Sequence, residues 1–375
     1  MKIIFVSSLV AVLLFGLGCA GSVTAFGVRL SALEIVVVAD DDLASGSGVR
    51  SMDKDGAVFV EEGVDENGEK FYRFGNNVLP RVDLDGVGRA DYHKAEFSQN
   101  GFMVVQGQMS SGKVYPVVFD TGAGLRPVIL QDIHIRDNDL GVFPFDGVQG
   151  LPMMLTAVDE LVIGGLKLTN YPGICWGQHI ESRLLGIIPV GRSRDISFPL
   201  LLMTQFRYFL FDNVNERAQF SRDVSFDAGR EEGWWQFPLY LHWIDGGEQA
   251  VLFVEMEING RVLRPMLDTG CGAGLVMNRN LWDKMEGRFE VVGRKSRRFI
   301  LPLHFEGNSP KCASYKVNEL ELGDFSVASG EVAVLPEGKN WERADCILGM
   351  EYFRDRTVVV DFERGMLWVR KLDSQ

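Results

Sequence analysis

Two short stretches carry the residues best suited to chemistry. Phe119-Asp120-Thr121-Gly122-Ala123-Gly124 follows an apolar run from Val114 and leads into Val128–Leu130. Met266-Leu267-Asp268-Thr269-Gly270-Cys271-Gly272 repeats the arrangement ahead of Leu275–Met277. Each reads as strand, tight glycine turn, strand, with an aspartate where its carboxylate leaves the sheet. A single Asp-Thr-Gly is an ordinary turn sequence. Two in matching apolar settings, 148 positions apart, give one carboxylate to each half of a folded unit. Like charges held together cannot both ionise easily, so such a pair shares a proton and offers a base and an acid at once. One carboxylate takes a proton from water while the other gives one to a carbonyl, a hydrolysis needing neither metal nor covalent intermediate.

Carboxylates so placed need a frame, and the flanking sequence repeats one. Gly101–Gln108, Lys113–Asp120 and Arg126–Leu130 predict three short strands, and Glu160–Leu168 a hairpin about Gly164-Gly165. Leu184-Leu185-Gly186-Ile187 follows as an apolar-apolar-glycine signal, then a predicted helix over Phe198–Phe206 and a hairpin from Tyr208 to Phe220. The second half repeats the order. A hairpin turns at Asn259-Gly260, Glu319–Phe325 echoes the glycine hairpin, and Ile347-Leu348-Gly349-Met350 echoes the apolar-apolar-glycine signal. Glu351–Arg354 and a hairpin over Val358–Val369 close the series. Four landmarks in one order predict an internal duplication with its linker near Asp223–Gly233.

With both motifs and both echoes in hand, residues 96–375 resemble the two-lobed, pepsin-like aspartic proteases. The resemblance implies a mostly β, bilobal fold with a few short helices, an N-terminal lobe over 96–228 and a C-terminal lobe over 229–375. It implies that Asp120 and Asp268 are the catalytic pair and that Thr121 and Thr269 cross-brace the loops. Gly122 and Gly270 would admit backbone close to the carboxylates, and Gly186 and Gly349 would pack behind the loops. Trp234-Trp235-Gln236 is similar to the opening of the second lobe. Three departures stand out. The positions three after each aspartate, where pepsins carry Ser or Thr, hold Ala123 and Cys271. Alanine there is the retropepsin-like choice, and loss of a hydroxyl donor raises a carboxyl pKa, which predicts a pH optimum nearer neutral than strongly acidic. The stretch Phe143–Thr156, matching the substrate flap, holds Phe145, Gly147 and Gly150 but no tyrosine. Glycine at both positions four after the aspartate, Gly124 and Gly272, has no explanation in the sequence.

The rest of the chain sets the context. It has 375 residues, 46% hydrophobic and 24% charged, enough for two lobes. The net charge of −13 and the lack of a basic patch argue against nucleic-acid binding. Lys2 followed by an apolar stretch over Ile3–Leu17 has the layout of an export signal over residues 1–25. Val23-Thr24-Ala25 suits an ordinary signal peptidase, and Gly16-Leu17-Gly18-Cys19 resembles a bacterial lipoprotein box with Cys19 lipidated. Either way the expected location is the periplasm or cell envelope, soluble or lipid-anchored to the membrane. Residues 26–95 read as an extension, propeptide or added β layer, with a strand over Leu33–Val38 and a hairpin over Gly56–Phe74. Its acidic turns, Asp40-Asp41-Asp42 and Asp83-Leu84-Asp85, lack calcium-loop spacing. Exported cysteines permit disulfides, and Cys312 with Cys346 is one pairing among several, while Cys271 reads as a buried thiol. Arg294–Arg298 reads as a solvated loop, and Trp243 and Trp282 as buried.

The expected function is therefore an aspartic endopeptidase, a monomer acting on peptide or protein substrates without cofactor or metal. The alternative is a catalytically inactive binding or inhibitor-like protein that keeps the fold. A cysteine hydrolase built on Cys271 with a histidine base finds no local signature, and the five histidines are scattered singly, against a zinc site.

Overall fold

The computed structural model describes residues 92–97 and most of 101–371, with isolated strands at 23–25, 28–30, 33–39, 60–64, 70–74 and 77–79. Residues 1–22 of the expected export signal, Cys19 among them, the two acidic turns, Gly186, and the flap glycines Gly147 and Gly150 lie outside the described residues. What is described is mostly β, with short helices at Asp132–Asp137, Leu200–Met203 and Arg279–Met285.

Six strands form a shared sheet. Tyr92–Phe97, Arg217–Ser221 and Tyr208–Asp212 come from the first half, and Thr357–Asp361, Met366–Arg370 and the start of Trp234–Ile244 from the second. The halves meet where Tyr208–Asp212 pairs antiparallel with Thr357–Asp361, Leu210 opposite Val359. Each outer strand then leaves the shared sheet for its own half. Tyr92–Phe97 pairs with Arg217–Gln219 at its start and with Met103–Val105 at its end. Trp234–Ile244 does the same with Met366–Arg370 and then Gln249–Val254. The strand at Tyr92–Phe97 therefore straddles the expected start of the first lobe at residue 96, and the second of these strands begins at Trp234.

The repetition extends to backbone detail. The hairpin turns after Asp212 and Asp361 are closed alike, Asn215 N–H donating to Asp212 Oδ1 at 3.2 Å and Arg364 N–H to Asp361 Oδ1 at 3.0 Å. The left-handed position in each turn is Glu216 (φ 51°) in one and Gly365 (φ 64°) in the other.

Other expectations meet mixed outcomes. Phe198–Phe206 is not one helix, since Ile196–Pro199 is a strand and only Leu200–Met203 is helical. Arg294–Arg298 lies on the strand Glu290–Arg298, paired with Lys311–Leu322, rather than in a loop. No disulfide joins the four described cysteines, so Cys312 and Cys346 are separate buried thiols, and Cys271 is a half-buried one. The N-terminal strand Leu33–Ala39 pairs along its length with Gln178–Leu184, and Val60–Val64 pairs with Lys70–Phe74 as the expected hairpin. Trp282 is fully buried, stacked on Tyr315 and Phe289.

Candidate active site

Each aspartate ends a strand that is locked by a parallel neighbour. Val114–Asp120 lies beside Ile196–Pro199, with Pro199 opposite Asp120. Met266-Leu267 lies beside Cys346–Leu348, which brings Gly349 opposite Asp268. The chain then wraps each loop by the same bonds. Leu200 N–H donates to Ala123 O (2.8 Å) and Leu201 N–H to Leu125 O (3.1 Å). In the second half, Met350 N–H donates to Cys271 O (2.9 Å) and Glu351 N–H to Ala273 O (3.3 Å). Gly349 packs against its loop, where a Cβ would come within 2.3 Å of Ala273 O and 2.6 Å of Cys271 O. Its counterpart is not Gly186. Pro199 takes that place, with extended backbone (φ −80°) that its ring permits. Spacing carried the signal. Gly349 stands eight positions before the strand opening at Thr357 and Pro199 nine before the one opening at Tyr208, whereas Gly186 stands twenty-two before it.

The two loops hold each other. Thr121 N–H donates to Thr269 Oγ1, and Thr269 N–H to Thr121 Oγ1, both at 3.0 Å. Each hydroxyl then donates across to backbone, Thr121 Oγ1 to Leu267 O (2.7 Å) and Thr269 Oγ1 to Phe119 O. Both threonines are buried, so every one of these groups needs its partner. Gly122 faces the opposite aspartate so closely that a Cβ would lie 2.4 Å from the Asp268 carboxyl carbon, and one on Gly270 would lie 2.6 Å from that of Asp120. The sequence therefore brings Asp120 and Asp268 together with Thr121, Thr269, Gly122 and Gly270. Gly124 also finds its reason. A Cβ there would meet Ala250 O of the second half at 2.0 Å, and Ala250 N–H donates to Gly124 O (2.9 Å).

The carboxyls are not equivalent. Asp120 Oδ1 accepts from Gly122 N–H (2.9 Å) and Ala123 N–H (3.1 Å), and Oδ2 accepts from the Ser197 hydroxyl (3.1 Å). Asp268 Oδ1 accepts from Gly270 N–H (3.0 Å), and the Cys271 amide also donates to this carboxyl. Burial raises both pKa values. At Asp120 the Ser197 hydroxyl and the Ala123 and Gly122 amides pull against it. At Asp268 the Asp120 charge and a side-chain hydrogen bond with Asp120 add to burial against the Gly270 and Cys271 amides, leaving this carboxyl well above the usual range. Sequence reasoning missed Ser197, because the apolar-apolar-glycine template was laid on Leu184–Gly186, away from the strand that meets Asp120. Ser197 thereby gives Asp120 the side-chain hydroxyl that Ala123 does not supply.

Behind Asp120, buried Phe119 packs on Phe198, Phe209 and Phe220 with ring centroids 4.9–5.3 Å apart, so these four rings are core. The flap-matching segment forms a hairpin, Val142–Asp146 against Pro152–Thr156, with Phe145 opposite Met153. Buried His134 is structural. Its Nδ1 accepts from Gln131 N–H at 2.8 Å, and its Nε2 lies 3.0 Å from Arg194 O.

Residues 254–352 match the family model described as Aspartyl protease, a segment that contains Asp268 and Gly349. The match supports an aspartic protease family. No curated protein matches the chain. Among solved structures, Basic 7S globulin from soybean is similar at 12% identity and a TM-score of 0.42, over 75% of this chain and 95% of that one. Conglutin gamma, a unique basic 7S globulin from lupine seeds, is similar at 12% identity and 0.43, over 76% and 95%.

Proposed function

We propose that this chain is an aspartic endopeptidase of bilobal, pepsin-like build, in which Asp120 and Asp268 share one proton and activate water against a peptide carbonyl. The observation that carries the reading is reciprocal: each carboxyl lies against the glycine of the other half's loop, and the two loops are tied by crossed threonine bonds. Two acidic groups side by side, Asp268 buried and Asp120 half-buried, with raised pKa values supply base and acid at one point. The Val142–Asp146 hairpin is read as the substrate flap, and the N-terminal leader as an export signal, with Cys19 as a lipidation point.

Digestion of a mixed peptide library from pH 3 to 8 tests the activity, with Asp120→Asn, Asp268→Asn and Cys271→Ser beside the unaltered chain. Cleavage lost in both aspartate variants and kept in the cysteine variant is the expected result. No cleavage at any pH would favour the inactive binding protein instead.

A further inference from the structure

The two halves repeat their backbone bonds around the carboxyls, and one difference between them sets a hydroxyl against a carboxyl. The strand behind Asp120 carries Ser197 where the strand behind Asp268 carries Ile347: Ser197 pairs with Val118, two before the first aspartate, and Ile347 with Met266, two before the second. Ser197 is pinned by its backbone from both sides, against Val118 and Ile129. Its half-buried side chain is left to aim its hydroxyl at Asp120 Oδ2, at 3.1 Å. Buried Ile347 brings no donor to Asp268. The threonine hydroxyls are already committed to Leu267 O and Phe119 O. Asp120 therefore has a side-chain donor in addition to its two loop amides, and donors of this kind favour the charged form.

We propose that Ser197 is a positioning residue that breaks the symmetry of the pair, holding Asp120 as the carboxylate and leaving the shared proton on Asp268. In catalysis Asp120 is then the base that accepts a proton from water, and Asp268 the acid that gives its proton to the carbonyl oxygen. The division rests on the protease reading, but the ionisation it describes does not require turnover. The groups that bear on Asp120 are few. Asp268 faces it from the opposite loop, and the Cys271 thiol follows in that loop. Ile196–Pro199, Thr121–Gly124, Leu200–Met203 and Met266-Leu267 contain no ionisable side chain, and Cys346 on the strand beside Met266-Leu267 is a buried thiol held neutral by its burial.

The test measures ionisation and turnover separately. In the Asp268→Asn chain, with aspartate carboxyls labelled with carbon-13, the titration of Asp120 is followed by NMR with and without Ser197→Ala. Loss of the hydroxyl should move the Asp120 midpoint up by about one pH unit, the scale of a hydrogen bond to a charged group. In the chain with both aspartates, the acid limb of kcat/KM should move up by a similar amount in Ser197→Ala and stay in place in Ser197→Thr. A midpoint unchanged by Ser197→Ala overturns the proposal, as does an acid limb that stays put while activity falls, the mark of a merely structural role. A shifted midpoint in a chain that cleaves nothing would uphold the assignment of charge and sink the protease reading alone.

Discussion

At the scale of single residues, the site is decided by what glycine and hydroxyl positions allow. A methyl group at Gly122 or Gly270 would displace a carboxyl that must stay within reach of its twin. Gly122→Ala and Gly270→Ala should each lower kcat/KM by about 100-fold or more, the scale of a catalytic group misplaced by an ångström, while circular dichroism stays native. The buried pair also costs stability. Both folded pKa values lie above the ordinary carboxylate value, chiefly through burial, Asp268 the farther of the two. Between the ordinary carboxylate pKa and the raised folded values, the folded chain binds more protons than the unfolded one, so stability falls as pH rises through that window. Asp268→Asn removes the charge that resists burial. It should raise the melting temperature at pH 7 and leave it nearly unchanged near pH 3; equal effects at both would contradict the sign. Asp120, Asp268, Thr121 and Thr269 were legible in the sequence because their chemistry is written in adjacent letters. Ser197 was not, because its role is set by strand register, which composition does not record.

At the scale of elements, the crossed threonines and the wrapped strands do the positioning. Thr121→Val removes the acceptor of Thr269 N–H inside a buried junction. It should lower unfolding free energy by about 1–3 kcal/mol, with Thr121→Ser near the unaltered chain, as read by denaturant titration. The two closing strands predict an unequal outcome at equivalent places. Gly349→Ala sets a methyl against Ala273 O and Cys271 O, rigid backbone that cannot turn aside, and should cost about 1–3 kcal/mol. Pro199→Ala keeps a Cβ the site already holds and should cost about 1 kcal/mol or less. The strands of the second half were readable because Ile347-Leu348-Gly349 keeps an apolar pattern. Those of the first half were harder, because Ile196-Ser197-Phe198-Pro199 breaks that pattern with a hydroxyl and a proline. The run Phe198–Phe206 therefore reads as one helix, although its first two residues belong to the strand.

At the scale of the whole molecule, the duplication was visible, and the way the halves join was not. Tyr208–Asp212 and Thr357–Asp361 each look like one arm of a local hairpin, and no local signal says that they pair with each other. All five residues of Tyr208–Asp212 are buried, so neither half has a complete surface without the other. Calorimetry of the full chain should therefore give one unfolding peak, and two resolved peaks would show that the shared sheet does not couple the halves. The same join has a bearing on symmetry. Were the first half to pair with a second copy of itself, both carboxyls would meet a serine, and neither would be marked out to keep the proton. Joining the copies covalently lets one position differ between them, serine here and isoleucine there. The tether does more than keep two partners near each other: it lets them hold different jobs.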